Sequence, residues 1–365
     1  MNENKAINLV EEELADSSIL NAYAQSKLKK KIFIFLMILA IVLVVLLAVT
    51  IGPIEMTVKD AYQVILHHLW PSIVEPVQGI IDGVVWKVRV PRVLTGLFVG
   101  FGLAISGAVM QPILRNPMAT PYTLGVSSSA GFGAALAILL GHRLGNGIAS
   151  IMMSAFAFSL LVVFVIALIS KWNKARPEVI ILTGIALSYL FNAGIRLLQY
   201  IVDPIYTKEM VFWLAGSLYK GTWENLSYIS LTVVILSALI IFKSKDLNAI
   251  CAGDEVAQSV GIDVEKTRLF LLVAASLLTA VLVSFTGTIG FIGLVAPHIT
   301  RMVLDGDNFF VIVGSGFVGA LLLVTSDVVA MNIIAPTILP IGVITAFMGV
   351  PLFLYLILKM KRGNF

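Results

Sequence analysis

This sequence predicts an all-α integral membrane protein: about ten transmembrane helices in a compact bundle, with two short helices in one charged loop. Three observations lead there. Nine stretches of 17 to 32 residues contain no Asp, Glu, Lys or Arg. The 365-residue chain is 59% hydrophobic and 13% charged, with a mean hydropathy of +0.98, whereas a soluble domain carries about a quarter charged residues. The stretches also lack the alternating pattern of a transmembrane barrel, so helices must satisfy the backbone within lipid.

A helix needs about 20 apolar residues to cross the hydrocarbon. The charge-free runs are 32–54, 93–114, 116–142, 144–170, 179–195, 225–242, 269–300, 308–326 and 328–358. Run 269–300 is too long for one span and contains Gly287, Gly290, Gly293 and Pro297, so it divides near 287–290. That gives ten spans in one integral domain over 32–360, between a polar tail at 1–31 and a short tail at 361–365. The lysines at 27–31 resemble the start of a signal peptide. The apolar run that follows is too long for one, and no small-residue cleavage site closes it. It is read as the first span, retained.

Residues 52–90 form an outside segment, whose Trp70 and Trp86 suit the headgroup layer. The second span is rich in small residues, including Gly96, Gly100, Gly102, Ser106 and Gly107, which lets a neighbouring helix approach closely. Pro112, Pro117 and Pro121 turn the chain around Arg115 and Asn116. Residues 171–177 form a second basic inside loop. Residues 210–218 are apolar but too short to cross, so an interfacial or re-entrant helix is expected. The blocks 91–200 and 266–360 each hold four spans with opposite starting sides, the arrangement of an inverted repeat.

Net charge is +4. With the N-terminus inside, cytosolic segments hold 17 of the 25 Lys and Arg residues. The positive-inside rule therefore places both termini in the cytosol. A lipid environment accounts for this basic balance, and no nucleic-acid partner is implied. The single cysteine, Cys251, excludes an internal disulfide framework. Phosphate-cradling, serine-nucleophile and zinc-protease motifs are missing from the sequence. His67 and His68 are adjacent, so one helix would point them apart, and no Cys/His set supports a metal site. Near membrane depth the acidic candidates are Asp203 and Asp327, with Glu178 at the cytosolic edge. A proton-driven carrier needs a fuller relay, which points to an energy source outside the chain.

Residues 243–268 carry nine charges between two apolar runs. Two short helices are expected there, at 247–252 and 255–260, joined at Gly253. Asp254 would cap the second, Glu255 would add charge to its first turn, and Gly261 would end it in the left-handed conformation. A merely solvated linker has no need of Leu247, Ile250, Val256, Val260 and Ile262, so these predict a surface that another protein covers.

Five stretches then carry a resemblance: Arg89-Val-Pro-Arg92, GLAISGAVMQPILRNPMATPYTLGVSSSAG at 102–131, LNAICAGDEVAQSVGI at 247–262, GFIGLVAPHITR at 290–301 and ILPIGVITAFMGVPLF at 338–353. In this order, over about three quarters of the chain, they resemble the permease subunits of bacterial ABC importers for iron–siderophore, haem and cobalamin. The resemblance implies a ten-helix transport subunit without enzymatic activity or a cofactor of its own, with ATP and Mg on partner ATPase subunits. It implies an extracytoplasmic substrate-binding protein and a second permease copy or paralogue. An iron–siderophore complex is the cargo expected, with haem or cobalamin the alternatives. Leu247, Asn248, Gly253, Asp254, Glu255, Ala257, Gln258 and Gly261 match the helices that couple to the ATPase. Arg89 and Arg92 match arginines that receive acidic residues of the binding protein. Asn116, Met118, Pro177 and Glu178 match regions that narrow the path on the cytosolic side. Met331 and Ile338 depart from the family pattern, which has a docking arginine and a Glu-Leu-Pro corner there.

Overall fold

The computed structural model describes residues 3–77, 79–144, 147–172, 174–304 and 306–359. The expected tail at 361–365 lies outside the described residues. The elements run α1 Glu3–Thr50, α2 Val58–Leu69, α3 Ile80–Asp82, a π-helical stretch Gly83–Arg89, α4 Val90–Ile113, α5 Val126–Leu144, α6 Ile148–Trp172, α7 Pro177–Ile201, α8 Pro204–Leu214 and α9 Trp223–Phe242. They continue with α10 Ser244–Ala252, α11 Asp254–Ser259, α12 Val264–Thr286, α13 Ile292–Val303, α14 Asn308–Asn332 and α15 Ile341–Lys359. Among the described residues there is no strand. Seven helical segments among the described residues are long and apolar enough to cross a membrane, and three shorter apolar helices lie in α5, α13 and α15.

The first difference from the sequence reading is α1. Residues 3–31 are helical and run without a break into the first span, in one 48-residue helix. No Gly or Pro interrupts this stretch, and Ala, Leu, Glu and Lys favour helix. It stops just before Gly52 and Pro53. Phe35, Leu43 and Leu47 are each more than half exposed, the pattern of a helix that turns one side to lipid.

The core gathers around α4, α12, α13 and α14, where Leu103, Ile105, Leu278, Ile292 and Leu323 are almost fully buried. Small residues make this density possible. A Cβ at Gly100 would strike the Gly319 carbonyl, and one at Gly107 would strike the Gly293 carbonyl. Helix backbones touch at both places.

The long run at 269–300 does break where its glycines cluster. Helix α12 ends at Thr286, Gly287 takes φ 70°, and Phe291 at φ 67° opens α13. The following helix differs from expectation. Asp327 does not separate two spans, because α14 continues through it to Asn332. Its charge is met inside the bundle by Arg92, which donates to both carboxylate oxygens at 2.9 and 2.7 Å. A paired carboxylate can sit within a span where a lone one would be costly.

The expected short apolar segment at 210–218 is the end of α8 followed by a tight loop. That loop is held from two sides: Ser217 donates its N–H to the Thr286 carbonyl, and Ile341 and Gly342 donate theirs to Gly216 and Ala215. Irregular backbone at this depth is tolerated because other backbone satisfies it.

Candidate functional site

One end of the bundle carries a knob made of α10 and α11. Leu247 and Ile250 are buried against the rest of the chain, and Ala257 packs with Ile250 and Val264. Gly253 joins the two helices at φ 132°, a conformation open to glycine. Helix α11 ends in a Schellman motif: Ile262 donates to the Ala257 carbonyl and Gly261, at φ 84°, donates to Gln258.

Sequence reasoning therefore located the knob but misassigned some of its side chains. Gly253, not Asp254, holds the N-cap position, and Asp254 is the first residue of α11. Leu247 and Ala257, expected in the contact surface, are internal anchors, as is Ile250. What the knob presents outward is Glu255, Val256, Gln258, Val260 and Gly261. Asn248 turns inward too. Its Oδ1 accepts from the backbone N–H and side-chain amide of Asn308 at 2.8 and 2.9 Å, and its amide donates to Asp307 at 3.0 Å. Helix α10 is thereby sewn to the start of α14.

Asp254 is freed for another task by not capping. Its Oδ1 accepts from Arg115 Nη2 at 2.7 Å and from Arg268 Nη2 at 3.0 Å. Arg268 is buried, and its Nη1 donates to the Ala175 carbonyl at 3.4 Å. Arg115 closes α4 in the left-handed region at φ 47°, immediately before Asn116. Ala175 lies two residues before Pro177, the first residue of α7. One carboxylate thus links the knob, the elbow after α4 and the corner before α7. The sequence reading singled out a residue in each of those regions but not Arg268 or Ala175, because the tie runs between loops far apart in the chain.

Above this tie lies a cavity of about 500 Å³, lined by Asn116, Met118, Thr123, Ser188, Tyr189 and Asn192 among others. Asn116 Oδ1 accepts from the Met118 N–H at 2.9 Å, which fixes the elbow as a turn. Met118 is 54% exposed. Pro177 suits the first helical position, having no N–H to satisfy, and Glu178 is exposed in the first turn of α7. A cavity walled by two isoleucines, a methionine and a few amides and hydroxyls can hold a solute without gripping it strongly.

At the opposite end, the expectation for Arg89 and Arg92 is corrected. Both are 5% exposed. Arg89 donates to the carbonyls of Val49, Thr50 and Ile54 at 3.0, 2.8 and 2.6 Å. It neutralises the exposed carbonyls where α1 ends. Arg92 is committed to Asp327. These guanidinium groups staple the outer ends of helices together rather than face a partner. Met331 is buried and Ile338 is exposed. Trp86 stacks on His68 at 4.2 Å and lies 4.8 Å from Trp223, whose indole N–H donates to the Trp86 carbonyl.

Comparisons with known proteins agree with this architecture. The profile described as the FecCD transport family matches residues 38–359. An ABC transporter permease protein of Methanocaldococcus jannaschii is 40% identical over 344 residues, covering 92% of this chain and 96% of that protein. The hemin transport system permease protein of Yersinia pestis is 36% identical over 281 residues, 76% of this chain and 84% of its own. A solved structure of a metal-chelate type ABC transporter in an inward-facing conformation superposes with a TM-score of 0.78 at 30% identity, covering 90% of this chain and 99% of that one.

Proposed function

This chain belongs to the FecCD transport family, and on that premise we propose that it is the permease subunit of an ABC importer. It sits in the cell membrane with both termini in the cytosol and moves an iron–siderophore complex inward, driven by ATP hydrolysed on a separate Mg-dependent ATPase. The observation that carries this reading is the tie from Arg115 through Asp254 and Arg268 to Ala175. It connects the knob to the elbow that lines the cavity and to the corner that opens α7. The ATPase would grip Glu255, Val256, Gln258 and Val260. Its closure on nucleotide would shift α11, and through Asp254 it would shift the elbow at Asn116–Met118 and the corner at Pro177–Glu178. The thermodynamic requirement is that the nucleotide-bound ATPase prefers one of two permease states.

A binding protein would deliver cargo at the far end. A second permease copy or paralogue would cover the apolar surface of α7 and α15, where Leu190, Leu197, Phe347 and Leu354 are exposed. Haem and cobalamin are the alternative cargoes. The pairing of Asp327 with Arg92 weighs against ion-coupled transport, because the carboxylate that would carry such coupling is already engaged.

The test is uptake of labelled ferric siderophores of several chemical types by cells with and without this chain, beside a partner ATPase that binds but cannot hydrolyse ATP. Uptake that needs both the chain and hydrolysis supports the proposal. Uphill transport by the purified chain in vesicles, with no ATPase present, would refute it.

A further inference from the structure

We propose that Arg196 makes the passage selective for cargo of net negative charge, such as anionic metal chelates, over uncharged chelates. This rests on the reading of the chain as an importer permease and names the class of substrate that its cavity takes.

The exposed side of α7 divides lengthwise. Glu178, Ile185, Tyr189, Asn192 and Arg196 follow one another at intervals of seven, four, three and four residues, so they form one stripe, and Ser188 lies beside it. The neighbouring stripe is apolar, with Leu190, Ala193, Leu197 and Ile201 exposed. On α7 the cavity of about 500 Å³ is walled by Ile181, Ile185, Ser188, Tyr189 and Asn192, so apolar and polar groups both line it. Arg196 continues the first stripe one turn beyond Asn192, away from the knob.

Arg196 is exposed. Among the described residues, no carboxylate lies within ion-pair reach of it. Glu178 is on the same stripe, but the 18 intervening steps put it about 27 Å away. Arg89, Arg92, Arg115 and Arg268, by contrast, are all hydrogen-bonded within the chain. A guanidinium facing hydrocarbon is costly, so a free one that continues the wall of the cavity is best explained by a passing anion. Its planar fork suits carboxylate, catecholate or oxyanion groups. In a passage of low dielectric its attraction extends beyond contact.

The test uses the purified full chain in lipid nanodiscs, titrated with radio-iron-labelled ferric citrate, which is anionic, and with an uncharged ferric trihydroxamate. The wild type should bind ferric citrate more tightly than the trihydroxamate. Arg196→Gln should lower the citrate-to-trihydroxamate affinity ratio about tenfold, and Arg196→Lys should restore most of it. Rising ionic strength should weaken citrate binding by the wild type but not by Arg196→Gln. An arginine that only snorkels to the headgroups would leave the ratio and the salt dependence unchanged in Arg196→Gln, which overturns the proposal. Preference of the wild type for the uncharged chelate, or binding of neither, overturns it equally. The uptake assay in cells judges the importer reading separately, since chelate uptake without charge preference keeps that reading and removes this one.

Discussion

Arg115 donates to Asp254 at 2.7 Å across 139 residues of chain, joining the end of one membrane helix to the first turn of a helix outside the bundle. Since the same carboxylate oxygen also accepts from the buried Arg268, the contact is more than an exposed ion pair, which alone would contribute about 0–1 kcal/mol.

Replacing Asp254 by Asn should separate ATP use from transport. The knob would keep its apolar anchors, so ATPase co-purification should persist, while uptake falls about tenfold as the charge-assisted bonds weaken. Glu255→Lys should instead reduce co-purification itself, and uptake with it. ATP hydrolysis and uptake measured on the same vesicles distinguish the two. Equal loss of both in Asp254→Asn would count against a transmitting role.

The Arg92–Asp327 pair should show the asymmetry of buried ion pairs. Arg92→Ala or Asp327→Ala alone leaves one charge stranded and should destabilise the protein by about 3–5 kcal/mol. The combined Arg92→Met, Asp327→Leu variant should regain most of that loss. Thermal unfolding in detergent reads all three. Retained uptake in the combined variant would further exclude Asp327 as an ion-coupling group.

Close backbone contact at Gly107 predicts a sharp contrast with Gly290. A methyl group at Gly107 meets the Gly293 backbone, whereas nothing lies within 4 Å of one at Gly290. Gly107→Ala should sharply lower the yield of monodisperse protein, and Gly290→Ala should leave it near wild type. Size-exclusion profiles after detergent extraction provide the measurement.

Gly261→Ala should cost about 1 kcal/mol locally, since its φ of 84° disfavours a side chain although space is open. The expected readout is faster protease cleavage within α11, with the membrane helices unaffected.

Much of this organisation is legible in the sequence because lipid leaves few options. Charge-free runs locate the spans, and Gly287 with Gly290 marks the break between α12 and α13. Gly253 and Gly261 punctuate the knob as expected. Two of the errors share one cause: a charged side chain has the same letter whether it meets solvent or a distant partner. Asp327 looks like a boundary until Arg92 is brought 235 positions along the chain to meet it. Arg89 looks like a docking group until the carbonyls at the end of α1 are seen to consume it. In α10, the alternation of apolar and polar residues identifies an amphipathic helix but cannot say which protein covers its apolar side. For Leu247 and Ile250 the answer is this chain itself.

The glycine seam between α4 and α14, with the Arg92–Asp327 clasp near one end, makes those two helices a stator. At Gly100 and Gly319 the two backbones already approach so closely that neither position has room for a methyl group. Any rocking that opens one mouth while shutting the other falls to α7 and α15, whose flanks are largely bare in the single chain. Because α7 also walls the cavity, a substitution on its exposed face would act both on how that helix moves and on what the cavity admits.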